Sequence, residues 1–372
     1  MSFRILIASL IILPFFAAYE SISNAQVHTA KSFDFSGVDQ FWKMVETFER
    51  DVEPTEEQWG SLLETPGYNY LIKVEGKEKL FKRYLPIVFR PSKKAELTRV
   101  LANGGDDLRY VTHYLNVKAR REELIQFQKR LQNRPLMNLA LQRTSRYLPD
   151  GVVTKYPPPT VFFAIFEADG KATDSFIVVD LLFARNVGVL AFIAHESHHY
   201  YVERISKLKT PEREAKDYYL IHAVDQLRLE GVADLIDKPG MLREVASHAK
   251  DQWLRWYASE YKKQYLRSNR ILEQIDNLIA DMSVNPDKLE ENSKRVWDLL
   301  PFAGHPTGYY MARAIVEDLG KDAVIKNIGN PFAFLRQFNR AAKMRTTKRK
   351  HHILSDRTID YLNILEGKYI TK

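Results

Sequence analysis

One stretch restricts this chain more than any other. From Val187 to about Leu208 the sequence runs without an internal proline, and "LAFIAHESHHYYV" sets three histidines and a glutamate among uncharged, mostly bulky neighbours. A helix apolar on nearly every side belongs inside a protein. Its polar groups must then meet partners there, because an unpaired buried polar group costs several kcal/mol. The fold therefore has to surround this helix, and supply its imidazoles with something to bind.

Spacing narrows what that is. His195 and His199 are four residues apart, one turn above each other on one helical face. Two imidazoles so placed can converge on one tetrahedral zinc. Glu196, rotated about 100° from His195, flanks such a metal and can accept a proton from its water, the logic of an H-E-x-x-H helix. His198 could also face the metal, but it lies further round on the flank away from Glu196. The angles favour the His195–His199 pair and leave His198 to line a cleft or bond to backbone.

A catalytic zinc usually takes three protein ligands. Ile205 occupies the position six residues beyond His199, which excludes a third histidine there. The segment "LRLEGVADLID" offers a carboxylate instead. Glu230 can ligate while Asp234, four residues on, orients a ligand imidazole. The apolar neighbours Leu227, Val232, Ala233 and Leu235 argue against a solvated acidic face, and Gly231 is expected to let this helix approach the His195 helix closely. Glu196 and His199 also form E-x-x-H, but a di-iron bundle needs a second copy, and the chain has none.

"HESHH" followed by "EGVAD" resembles the gluzincin metallopeptidases, and within them the uncharacterised zinc-dependent peptidase families. The resemblance implies a zincin-like core, one zinc per chain on His195, His199 and Glu230, Glu196 as general base, Asp234 behind the ligands, and a peptide or protein substrate. It also implies that an upstream strand forms the cleft edge and pairs with an extended peptide. A tyrosine or histidine often stabilises the oxyanion in such enzymes; "GHPTGYY" offers His305, Tyr309 and Tyr310. The two functional alternatives are a non-catalytic exported protein that keeps the zinc scaffold to bind a partner, and a zinc hydrolase of a non-peptide amide.

The rest of the chain suggests an α+β fold, predominantly helical, with a small sheet or hairpin packed beside the H-E-x-x-H helix. Residues 1–25 read as a signal peptide: Arg4, an apolar run from Ile5 to Ala18, and small residues at Ser23 and Ala25 before Gln26. A helical region follows to residue 155. "GVDQFWKMVETFERD" puts Val38, Phe41, Val45 and Phe48 on one stripe, and Thr55 is placed to cap a helix. "YPPP" breaks the pattern at Tyr156–Pro159. "TVFFAIFEADG" and "SFIVVDLLFA" read as two strands, paired as a hairpin about Asp169-Gly170, and Asn186 as the cap of the next helix. Residues 156–240 form the expected zincin-like core. Residues 241–372 form a helical C-terminal region, with a helix ending at Gly320 and a basic loop at Arg340–His352.

The net charge is +8, but the basic residues are dispersed and no nucleic-acid motif occurs. No later segment is long and apolar enough to cross a bilayer. With no cysteine, an exported chain relies on its core and a metal rather than on disulfides. The expectation is an exported, periplasmic or secreted protein without stable membrane insertion.

Overall fold

The structure is a computed structural model that describes residues 32–132, 134–248, 252–345 and 350–371. The expected signal peptide lies outside the described residues. In chain order, β1 (Phe33–Asp34) precedes α1 (Ser36–Glu49), α2 (Glu56–Leu63), α3 (Pro66–Lys73), α4 (Glu78–Phe89), α5 (Lys94–Asn103), α6 (Asp106–Ala119), α7 (Arg121–Gln132), α8 (Leu136–Thr144) and α9 (Val152–Lys155). Next come β2 (Thr160–Ala164), β3 (Gly170–Ala172), β4 (Phe176–Asp180), α10 (Leu181–Val187), α11 (Val189–Ile205), α12 (Tyr218–His248) and α13 (Gln252–Val284). The chain ends with α14 (Leu289–Asp298), α15 (His305–Leu319), α16 (Lys321–Lys326), α17 (Pro331–Met344) and α18 (Asp356–Tyr369). It divides into two compact units, Met1–Asn138 with Pro158–Val189, and Leu139–Pro157 with Leu190–Lys372.

The first unit carries the sheet, in the order β1-β2-β4-β3. On α1 the predicted stripe of Val38, Phe41, Val45 and Phe48 is fully buried. Thr55 caps α2 in a reciprocal box: its hydroxyl accepts from the Gln58 N–H at 3.2 Å, and Gln58 Oε1 accepts from the Thr55 N–H at 2.9 Å.

The expected hairpin is not formed by the two long apolar runs. β2 and β4 pair in parallel, Val161 opposite Ile177 and Phe163 opposite Val179. The Asp169-Gly170 turn instead leads into β3, which lies antiparallel to β4. Continuous apolar runs such as FIVV suit a strand buried on both faces, the usual setting of parallel strands. The second run also stops being a strand halfway. Asp180 Oδ1 accepts from the Phe183 N–H at 2.7 Å and so caps α10, while Oδ2 accepts from the Phe166 N–H at 2.9 Å and meets His113 Nε2 at 3.1 Å. One buried carboxylate ends the strand, starts the helix and ties both to α6.

Asn186 is not a cap. Its side-chain oxygen accepts from Arg120 at 2.6 Å. The break before α11 falls at Gly188, whose φ of 94° suits glycine and ends α10.

In the second unit α12 packs most extensively against α15. α12 crosses the expected boundary at residue 240, continuing through Pro239 and Gly240 to His248. Proline there forfeits one bond of the helical ladder, while the flanking Asp237 and Lys238 are buried and paired. Gly320, at φ 88°, ends α15 as expected. The basic stretch is not simply a solvated loop. α17 takes it as far as Met344, the Tyr310 hydroxyl meets His351 Nδ1 at 2.5 Å, and His352 Nε2 meets Asp276 at 2.9 Å; residues 346–349 lie outside the described residues. Among the described residues no helix is long and apolar enough to cross a membrane.

Candidate metal centre

The second unit holds all the singled-out residues. α11 is buried on most of its faces, with Phe192, Ile193, Ala194, Tyr200, Tyr201 and Val202 in the core beside His195, Glu196, Ser197 and His198. A Thr144 hydroxyl donates to the Ala194 carbonyl at 2.8 Å and fixes the helix just before the histidines. On α12, Glu230, Asp234 and Asp237 recur at four and then three residues, so one face carries three carboxylates.

These faces meet at one atom. Glu230 Oε2 lies 3.4 Å from His195 Nε2, 3.2 Å from His199 Nε2 and 3.2 Å from His305 Nε2. His195 Nε2 and His199 Nε2 are 3.0 Å apart. By strict donor geometry this buried oxygen has no hydrogen-bond partner among the described residues, although the imidazoles at this range still bear on its charge. Buried carboxylate oxygens are normally satisfied, and an orphan amid three imidazoles calls for another explanation. A tetrahedral ion with bonds of about 2.1 Å holds its donors roughly 3.4 Å apart. The donor spacing fits such an ion, and so does the chemistry of imidazole nitrogens with one carboxylate.

Behind the donors, each flanking imidazole is oriented by its own carboxylate. His195 Nδ1 meets Asp237 Oδ1 at 3.2 Å and is 3.6 Å from Asp234 Oδ1. His305 Nδ1 meets both Asp234 oxygens, at 3.0 and 3.1 Å. Asp234 itself accepts from the Tyr261 hydroxyl at 2.7 Å and pairs with Lys238 at 2.9 Å; Lys238 also reaches Asp237 at 2.8 Å. Asp234 therefore contacts His305 more closely than the H-E-x-x-H pair, and the bond to His195 belongs to Asp237. Asp237, Lys238 and Tyr261 were not among the sequence candidates. Asp237 was findable, since it shares the Glu230–Asp234 face.

The electrostatics follow from burial and these partners. Burial opposes a charged His195, but the Asp237 carboxylate outweighs it and holds the imidazole pKa well above its usual value. Burial would raise Glu230; the His305 and His199 imidazoles overcome it and hold the carboxyl well below its ordinary range. Asp237 is likewise depressed against burial by Lys238 and His195. His305 is raised by Glu230 and Asp234 despite burial. A compact anionic pocket lined by imidazoles is what a divalent cation neutralises.

The remaining candidates are placed as follows. Glu196 is buried on α11 beside His195. His198 is fully buried, and its Nε2 meets the Tyr147 carbonyl at 3.3 Å, the second of the two placements left open for it. Tyr309 is buried between the rings of Tyr261 and Tyr265, at centroid distances of 6.4 and 5.6 Å. Tyr310 bonds to Asn269 and His351. Gly231 does allow a close approach, but to α15 rather than α11: a Cβ there would lie 2.4 Å from the Gly308 carbonyl oxygen. The carrier of His305 is thereby pressed against the carrier of Glu230. Access to the donors is graded, with side-chain exposures of 4% for His195, 11% for Glu230, 13% for His199 and 21% for His305.

No curated protein and no solved structure matches this chain. Residues 59–347 match the model of the family described as "Putative zinc dependent peptidase (DUF5700)", and with that span covering most of its length the chain belongs to this family.

Proposed function

We propose that the chain is an exported zinc-dependent peptidase, with the metal on His195, His199 and Glu230 and with Glu196 as the general base. The observation that carries the reading is the orphaned Glu230 Oε2, ringed by imidazole nitrogens at 3.2–3.4 Å. Bound there, zinc supplies a Lewis acid that polarises a scissile carbonyl and acidifies water.

The protein's own groups do the rest. Asp237 accepts from His195 Nδ1, which fixes the tautomer so that the Nε2 lone pair faces the centre. Glu196, adjacent to His195 and buried, takes a proton from the attacking water and delivers it to the leaving amine. The apolar flanks of α11 keep bulk water from the reaction and strengthen each charge interaction. Tyr309 borders the site through Tyr261, and the oxyanion role considered for it rests on that proximity alone.

Zinc stoichiometry and a broad peptide-library digest, run together on wild type, Glu230→Ala and Glu196→Gln, test the reading. We expect one zinc and cleavage in wild type, loss of zinc in Glu230→Ala, and retained zinc without cleavage in Glu196→Gln. Full cleavage by Glu196→Gln would refute the base assignment. A tightly held zinc with no peptide cleaved by wild type would point to a binding scaffold instead.

A further inference from the structure

His305 has the same two-sided arrangement as His195. Its Nδ1 is engaged by a carboxylate, Asp234, and its Nε2 lies 3.2 Å from Glu230 Oε2, as close as His199 Nε2 does. The His195 and His305 rings lie nearly parallel, 23° apart at 5.7 Å. A neutral imidazole that donates from Nδ1 to a carboxylate, the form a cation at Nε2 selects, carries its lone pair on Nε2. The Nε2 atoms of His195 and His305, both backed in this way, thus converge with His199 Nε2 on one carboxylate oxygen. Asp234 also lies within reach of such a metal, but Tyr261, Lys238 and His305 already engage its oxygens, which suits it to orienting His305.

The backbone around His305 supports a built position. It is the first residue of α15, and that helix is pressed onto α12 at Gly308 and Gly231 with no side chain between them. Immediately before it, Phe302, Ala303 and Gly304 all have positive φ, at 50°, 51° and 93°. Left-handed conformations cost roughly 1–2 kcal/mol for each non-glycine residue. Two of them in succession place one imidazole, and strain of this kind gathers at functional sites.

We propose that His305 is a fourth metal ligand, so that the resting centre is a closed three-histidine, one-glutamate site rather than an open one. Catalytic zinc sites keep a position for water or substrate, whereas sites with four protein ligands are closed. The His305 imidazole therefore occupies the position a substrate needs, and has to withdraw before turnover. The left-handed Phe302–Gly304 turn is the segment that carries it. This inference rests on the metal-centre reading above, and replaces an oxyanion role for His305 with a gating one.

Zinc K-edge X-ray absorption on the zinc-loaded full chain counts the imidazoles directly, without relying on any variant. Three imidazoles are expected in wild type and two in His305→Ala, and chelator competition should show zinc held at least tenfold more weakly by His305→Ala. Two imidazoles in wild type, unchanged in His305→Ala and with affinity within twofold, would overturn the proposal and leave the three-ligand site standing. Glu230→Ala separates the two claims. If it binds zinc as tightly as wild type, or if wild type binds none, the metal-centre reading itself fails and this inference falls with it.

Discussion

Gly308→Ala is a single added methyl group whose effect can be worked out in advance. A Cβ at position 308 would sit 2.3 Å from the Leu227 carbonyl oxygen and 2.9 Å from the Gly231 Cα and nitrogen. All three are backbone atoms of α12, so no side chain can rotate away. Non-bonded heavy atoms settle at about 3.5 Å, which means α15 must move off α12 by roughly 1 Å. Alanine gains about 1 kcal/mol over glycine as a helix former, while overpacking of a rigid contact costs about 3 kcal/mol. The net loss of about 2 kcal/mol corresponds to a fall in Tm of roughly 4–8 °C for a unit of this size. The same displacement stretches the 3.0 Å contact between His305 and Asp234 beyond hydrogen-bond range. Gly367→Ala is the control, because a Cβ there meets nothing within 4 Å, and it should leave Tm unchanged or raise it. Differential scanning calorimetry with zinc analysis reads both effects. A Gly308→Ala protein as stable as the control, with wild-type zinc affinity, would show that the helices do not approach in this way.

Other perturbations follow from the same geometry. Asp237→Asn should weaken zinc binding by roughly 10–100-fold in a chelator titration, since it removes the anion behind His195; unchanged affinity would return that role to Asp234. Tyr261→Phe strips the hydroxyl from Asp234 and should cost about 1–3 kcal/mol in urea unfolding. Thr55→Ala should cost about 1 kcal/mol through loss of the α2 capping box, with zinc content untouched. Asp217 is buried, which raises its pKa, but bonds from Lys368 and Tyr369 more than compensate and hold it below the usual carboxylate range. A carboxyl depressed in the folded state stabilises above its unfolded pKa, and that contribution is lost as pH falls through the folded value. As pH falls below about 5 and on through the depressed folded value, wild type should therefore lose more unfolding free energy than Asp217→Asn; equal losses would remove Asp217 from the acid transition.

Much of the candidate centre was legible because helices obey a fixed angle. His195 and His199 are four residues apart, as are Glu230 and Asp234, and the structure brings the two pairs together. Asp237 continues the same face at a three-residue step. Tyr261 and Lys238 obey no comparable rule: their contacts with Asp234 depend on how α13 lies and on burial, neither of which spacing records. Gly231 announced a close approach without naming the partner, since a missing side chain fits any neighbour. The β2 and β4 runs were recognisable as strands from β-branched and aromatic content. Their parallel pairing was not, because a nearby turn pair favours a hairpin and the intervening β3 is only three residues long.

The graded exposure of the donors has a consequence for how metal enters and leaves. His195 is walled in by the core of α11, and His305 is the most open member of the set. On the proposed four-ligand centre, exchange with outside chelators would begin at His305, and its departure would set the rate while the inner donors still hold. Metal lost after folding would leave by the route a substrate takes in. On the same proposal, a chain that folds before metal arrives would load through that doorway, so the speed of activation and the speed of inactivation would share a single gate.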